Sequence, residues 1–304
     1  MTSSHTPVRQ PLHRWMGLIL GACLAAAPGL AHAAASLDLF YERTVMTVAD
    51  QRCGLFEPGV RSALSAAQVQ ARGAALRGGS DRATLQGIEQ RARAKVMTTP
   101  CKSNDMTVAA NRVRQAFEGY AKVIRMDYPG DQLTWKADRS SSVAAVRWRL
   151  VQDITQKGDR MVFGLAGREG ANAVMAVARF KTDEAPYAAR LIMRDDILTV
   201  GPYLDTRGAS RTSTPLDRRL SPQGSQASFS AEARSRAGVD LLPKTMTSGW
   251  AFRFPADAAR ALANLDPRES VAVDFFFPGD KVRRLYVEVG DFAAGRAFLQ
   301  VATR

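Results

Sequence analysis

Histidines, cysteines and paired carboxylates supply most nucleophilic, acid-base and metal chemistry, and this chain distributes them unevenly. All three histidines, His5, His13 and His32, lie in the first 33 residues together with Cys23. That stretch reads as an export leader. Arg9 and Arg14 give it a basic start, and Trp15 to Leu30 is nearly all apolar, with helix-breaking Pro28 and Gly29 near its end. Ala31-His32-Ala33 then offers a small-residue cleavage site. Cleavage after Ala33 leaves no histidine, and only Cys53 and Cys101 as cysteines. Ser-His-Asp and Cys-His catalysis, His-based zinc and His-ligated haem are then excluded, and two cysteines cannot complete a four-cysteine metal site. Neither a metal nor a cofactor is expected.

Carboxylate chemistry and lysine-assisted serine chemistry remain. A pair of carboxylates can cleave glycosides, and Glu42, Glu89 and Glu118 are the candidates in the first half. Each also has a plainer reading as part of a solvated helix face. Glu89 lies four residues before Arg93, Glu118 sits between Arg114 and Lys122 in an i,i+4 ladder, and Glu42 is on the polar side of the first helix. Asp183-Glu184 and Asp195-Asp196 resemble strand-end turns and follow no calcium-loop pattern. Any serine could meet Lys95, Lys136 or Lys244 in space, but no S-x-x-K motif anchors such a pair.

The positive charge points to partners rather than reactions. The 304 residues include 42 Lys+Arg against 29 Asp+Glu, a net +13 that becomes +11 once Arg9 and Arg14 leave with the leader. The excess is spread over both halves and is mostly arginine. Its local concentrations are Arg207, Arg211, Arg218 and Arg219 in a long loop, and Arg147 and Arg149 flanking Trp148. These six are the candidate anion-binding residues, suited to an anionic lipid, a cell-wall polymer or an envelope protein. Nucleic acid is disfavoured by export and by the nonspecific pattern.

Two kinds of element must position these groups, and the length allows about two domains. Residues 34–128 have helical periodicity. The first helix runs from about Leu37 to Cys53, the second from Pro58 to Gly78-Gly79, and the third from Ser80-Asp81 until Pro100 stops it. The fourth, capped by Asn104 or Asp105, carries Met106, Ala110, Val113, Phe117, Tyr120 and Ile124 on one continuous apolar face. Short connections force an antiparallel four-helix bundle, in which the ends of helices one and three lie together. That topology sets Cys53 beside Cys101, and an oxidising compartment would join them. Closing a loop of 48 residues contributes about 4 kcal/mol on the chain-entropy account.

After the Tyr128-Pro129-Gly130-Asp131 turn the pattern alternates, and residues 129–304 read as a β-rich, mainly antiparallel, sandwich-like domain with two short C-terminal helices. The whole chain is therefore α+β. Strands are expected at 132–137, 145–154, 160–167, 173–181 and 188–194, with Trp148, Leu150 and Ile154 marking one face. Gly164, Gly167 and Gly170 read as hairpin glycines rather than a phosphate loop. A long irregular loop fills 205–248, with a short helix around Ser230 to Ala237. Order then returns as a strand at 250–254, a helix at 256–265, strands at 271–277 and 282–289 around Pro278-Gly279-Asp280, and a final helix from Asp291.

The last stretch runs from Gly249-Trp250-Ala251-Phe252-Arg253-Phe254 through Ala261-Leu262-Ala263-Asn264-Leu265 and Val271-Ala272-Val273-Asp274-Phe275 to Gly290-Asp291-Phe292-Ala293-Ala294-Gly295-Arg296-Ala297-Phe298. It resembles the end of the invasion-associated-locus-B family of exported bacterial proteins. The resemblance implies an envelope-associated protein with a β-rich module and no established active site. The family pattern has cysteines near the start of this stretch, where this chain has none.

These observations lead to an exported, non-catalytic envelope protein with a binding or structural-interaction role, periplasmic or secreted after cleavage near Ala33. The alternative function is a carboxylate-dependent hydrolase acting on cell-wall glycan. The alternative for the leader is lipidation, since Leu20-Gly21-Ala22-Cys23 fits a loose lipobox that would anchor the chain at Cys23. Mass spectrometry of the exported protein under non-reducing conditions should find Ala34 as the first residue and no free thiol at Cys53 or Cys101. An Ala34 start with both thiols free would break the argument from bundle topology.

Overall fold

The computed structural model describes residues 28–301 except 121, 141–144, 169–172, 183, 200 and 205–213. Arg9, Arg14, Cys23, Asp183, Arg207 and Arg211 lie outside the described residues. Helices α1 (Pro28–Cys53), α2 (Pro58–Arg77), α3 (Arg82–Thr98) and α4 (Asn104–Tyr120) form the first half. α1 starts at Pro28, earlier than the expected Leu37, because proline suits a first helical turn as well as it ends a helix. α2 also opens on a proline and closes at Gly79, whose φ of +99° favours glycine. Asp81 caps α3 by accepting the Thr84 amide at 2.7 Å. The cap of α4 is Ser103, whose Oγ accepts the Met106 amide at 3.2 Å, rather than Asn104 or Asp105.

Met46, Ala49, Leu64, Val96, Met106 and Ala110 make the core at one end of the bundle, and Phe40, Ala75, Leu76, Leu85 and Ile88 make it at the other. Cys53 and Cys101 are bonded, with Cα atoms 5.7 Å apart, and Arg52 beside them donates to the Val96 and Thr99 carbonyls that end α3. α4 stops at Tyr120 and does not run on to Ile124. Arg125–Pro129 instead forms strand β1, because pairing Tyr128 opposite Trp135 buries both rings completely.

Ten further strands follow: β2 (Thr134–Asp138), β3 (Arg147–Gln156), β4 (Asp159–Gly167), β5 (Ala173–Arg179), β6 (Ala188–Arg194), β7 (Gln226–Ser230), β8 (Ala233–Arg236), β9 (Trp250–Arg253), β10 (Ser270–Phe277) and β11 (Lys281–Glu288). Helices α5 (Ala256–Asn264) and α6 (Phe292–Leu299) complete the chain. A large antiparallel sheet has the order β1-β2-β3-β4-β5-β9-β8, and a small one β11-β10-β6-β7. Their facing sides share one core that includes Trp135, Leu150, Phe163, Leu191, Phe275 and Leu285. The helix expected at 230–237 is absent. Pairing to β6 and β9 makes those residues the end of β7 and all of β8, overriding a weak local preference.

Trp148, Leu150 and Ile154 do not share a face as expected. A bulge between Trp148 and Leu150 turns Leu150 and Ile154 inward and leaves Trp148 in an outer cluster, where its Nε1 donates to the Leu241 carbonyl at 2.9 Å. The bulge needs Gly164 opposite, since a Cβ there would lie 1.9 Å from the Leu150 oxygen. α6 wedges between the halves: Phe292 and Phe298 enter the sandwich core, while Ala297 and Val301 meet Ala63 and Ala66 of α2.

The buried Glu288 carboxylate closes the open side of the sandwich. Its oxygens accept the backbone amides of Asp131, Gln132 and Leu133 at 2.7 to 2.9 Å, and Arg219 Nη1 at 3.2 Å. Along the same strand, Gln152 and Gln156 of β3 each exchange two hydrogen bonds with the backbone of Glu288 and Tyr286. The two side-chain amides thus occupy a strand edge that would otherwise be open. Glu288→Ala leaves three buried backbone amides without their acceptor and takes one of its carboxylate partners from Arg219, which keeps Asp131 and the Thr214 carbonyl, so a loss of about 3 to 5 kcal/mol is expected from urea unfolding. A loss below about 1 kcal/mol, the size of an ordinary hydrogen bond, would refute this role.

Candidate functional site

A recess with convergent charge forms a two-lobed groove astride β11. One lobe, about 460 Å³, lies on the outer face of the small sheet against Arg190, Gln226, Ser228 and Ser221. The other, about 840 Å³, lies between the β3–β4 hairpin and β11, against Gln156, Lys157, Asp159 and Arg283. Asp217, Arg284 and Tyr286 line both lobes. The 3₁₀ turn Leu216–Arg219 is held over β11 because Arg219 reaches down to Glu288 and Asp131, and Ser270 Oγ donates to the Leu216 carbonyl.

Strand register builds the charge in this groove. Asp274 of β10 lies opposite Arg190 of β6 on one side and Arg284 of β11 on the other. Arg284 grips it with Nε at 2.6 Å and Nη2 at 2.8 Å, whereas Arg190 approaches only to 3.6 Å. The hydrogen bond to Asp274 raises the Arg284 guanidinium further above its already high range. Arg190 also lies over the Phe276 ring, 5.2 Å from its centroid, and its Nε has no hydrogen-bond partner. The carboxylate is buried, while both guanidiniums remain about two-fifths exposed.

The buried acids share one pattern. Asp50, Asp159, Asp266, Glu269, Asp274, Glu288 and Asp291 are buried, and each is paired with an arginine. Burial raises Glu269 above the ordinary carboxylate range despite Arg194. Burial also pushes Asp291 up to about 6, a value that suits a general acid, but Asp291 is sealed between α2 and α6 against Arg77 and Gly73 and lines neither lobe. Asp159 and Asp217 do share a lobe, yet Asp159 is engaged by Arg283 and the Lys181 amide.

The residues singled out from sequence scatter. Arg219 is buried and turned inward; Arg218 is exposed on the same turn. Arg147 is exposed on β3, and Arg149 donates to the Asp138 carbonyl, away from the groove. Glu42 and Glu118 are exposed and Glu89 is half-buried, with no ion pair to the expected partners among the described residues. Arg114 turns instead to Asn111 and the Leu55 carbonyl. No serine hydroxyl is bonded to Lys95, Lys136 or Lys244, and no acid-rich metal cluster forms, among the described residues. Asp195 accepts the Ile197 and Leu198 amides as a strand-end turn. Arg190 and Arg284 are not legible as a pair in the sequence because they lie on strands 94 positions apart. Their alternation opposite Leu191 and Leu285 was the available signal.

In comparisons with known proteins the chain matches no family model, no curated protein and no solved structure.

The Asp291 carboxyl gives a pH test. Its folded value of about 6 lies above the ordinary 3.8, with Arg77 favouring the charge and Asp131 and Glu288 opposing it. A group raised in the folded state stabilises fully below its unfolded value, and that stabilisation is lost as pH rises through the folded one. Unfolding free energy of the native chain relative to Asp291→Asn should therefore fall between about pH 4 and about pH 6. A pH-independent difference between the two would exclude Asp291 as the titrating group.

Proposed function

We propose that this chain is an exported, non-catalytic protein of the bacterial envelope that binds an anionic envelope component in the groove over β11. The row Arg190–Asp274–Arg284 carries the reading: two partly exposed guanidiniums share a single buried carboxylate, so the row itself keeps one positive charge, with the exposed Asp217 at the rim as the acid that limits it. A carboxylate or phosphate oxygen can take the second, incompletely satisfied arginine with the planar geometry that guanidinium favours. Gln226 and Ser228 add hydrogen-bonding groups beside it, and Tyr286 adds a flat apolar surface. An anionic lipid headgroup and an acidic cell-wall polymer both present such oxygens.

Export is supported by the leader features and by a disulfide, which persists in oxidising compartments. The likeness of the C-terminal stretch to exported envelope proteins points the same way. A glycan hydrolase would need two carboxylates facing an open cleft, one of them able to give a proton. Among the described residues, the pairing of every buried acid with arginine favours binding over that alternative.

The test is retention on phosphatidylglycerol vesicles and, separately, on purified cell-wall material, at rising salt. Arg190→Gln and Gln226→Glu, which leave the Asp274–Arg284 pair intact, should each weaken retention about tenfold, the equivalent of one lost charge-assisted contact. Retention of the native protein should itself fall steeply with salt. Salt-insensitive retention, or full retention by both variants, would sink the proposal, and the surface that retains the native chain identifies the ligand.

A further inference from the structure

A separate cavity of about 490 Å³ lies in the helical half, between α1 and α4. Met46 and Leu64, both buried, form its floor, and Val45, Val113 and Phe117 form its walls. The course of α4 keeps it open. Met106 and Ala110 are buried, whereas Val113 and Phe117, next on the same apolar stripe, stay half-buried because α4 packs mainly on α2 and only marginally on α1. The face that sequence periodicity marks as continuous core is thus completed for only part of its length.

The polar part of the lining is basic. Arg43, Lys95 and Arg112, from three different helices, line the cavity with one acid, Glu42; Arg43 is half-buried and donates to the Ala67 carbonyl at 2.6 Å, which leaves Lys95 and Arg112 as the cations open to a ligand. Lys95 and Arg112 are exposed and have no ion pair among the described residues. A mostly apolar slot of this volume with a few convergent charges is the usual form of a small-ligand site. Its chemistry is that of an amphiphile: hydrocarbon for the slot and one anionic head for the cations. The volume suits a single chain.

We propose that the α1–α4 groove binds a long-chain fatty acid, its alkyl chain lying against Met46, Leu64, Val113 and Phe117 and its carboxylate meeting Lys95 and Arg112. Affinity then rises by up to about fourfold for each methylene that enters the slot, and levels off when the chain outgrows it. The carboxylate adds selectivity over an uncharged head of the same chain length.

The experiment titrates palmitate, shorter fatty acids and hexadecanol into the disulfide-intact protein, purified as the cell exports it, by displacement of a fluorescent fatty acid. Palmitate should bind one per chain, about tenfold or more tighter than hexadecanol. The surface double variant Lys95→Gln/Arg112→Gln should lose that preference while keeping its helical circular dichroism. Val113→Asp should abolish binding, and Arg190→Gln should leave it unchanged, which separates this site from the groove over β11. Equal binding of palmitate and hexadecanol, binding unaffected by the double variant, or no binding by the native chain would each overturn the proposal. So would occupancy of the groove by a second copy, seen as dimerisation that palmitate does not reverse.

Discussion

The Glu288 carboxylate is the interaction on which the β half depends. An ion with no exposed surface must be solvated by the protein itself, and here three successive backbone amides and one guanidinium do so. Those donors belong to pieces of chain more than 65 residues apart in sequence: the turn between β1 and β2, the 3₁₀ turn carrying Arg219, and β11 itself. Satisfying one charge therefore draws the hairpin, the long loop and the sandwich edge together. The glutamines of β3 extend the same logic, with side-chain amides standing where a neighbouring strand would supply N–H and C=O groups.

Arginine has a second use throughout the molecule. Among the described residues, seven buried acids are each paired with one, from Asp50 with Arg61 in the bundle to Asp291 with Arg77 at the junction of α2 and α6. A buried pair with hydrogen bonds on both sides tolerates low dielectric, while either partner alone would not. These arginines are consequently committed to the fold rather than free to meet a partner. The charge left to act on a partner is set by geometry, as where Asp274 lies between two guanidiniums on an open face.

The two halves meet through small residues. Ala63 and Ala66 of α2 let α6 approach closely, and Gly295 admits the Leu150 side chain, where an added Cβ would come within 2.6 Å. α2 contacts α1, α4 and α6 together, and α4 packs on α2 more than on α1.

Local pattern determined a good deal about this protein. Helical stripes with short connections placed Cys53 beside Cys101, and alternation located most strands and the β10–β11 hairpin, because periodicity and turn chemistry act over a few residues. Composition alone removed histidine-based chemistry from any chain cleaved after Ala33. What sequence could not hold was pairing between distant segments. The bulge beside Trp148, the strand character of Arg125–Pro129 and of the serine-rich 226–236 region, and the inward turn of Arg219 follow from partners far along the chain. The candidate site has the same origin. Arg190, Asp274 and Arg284 are ordinary strand residues until antiparallel register sets them side by side, and only tertiary structure decides register, because it is the shared core that selects which face of each strand turns outward.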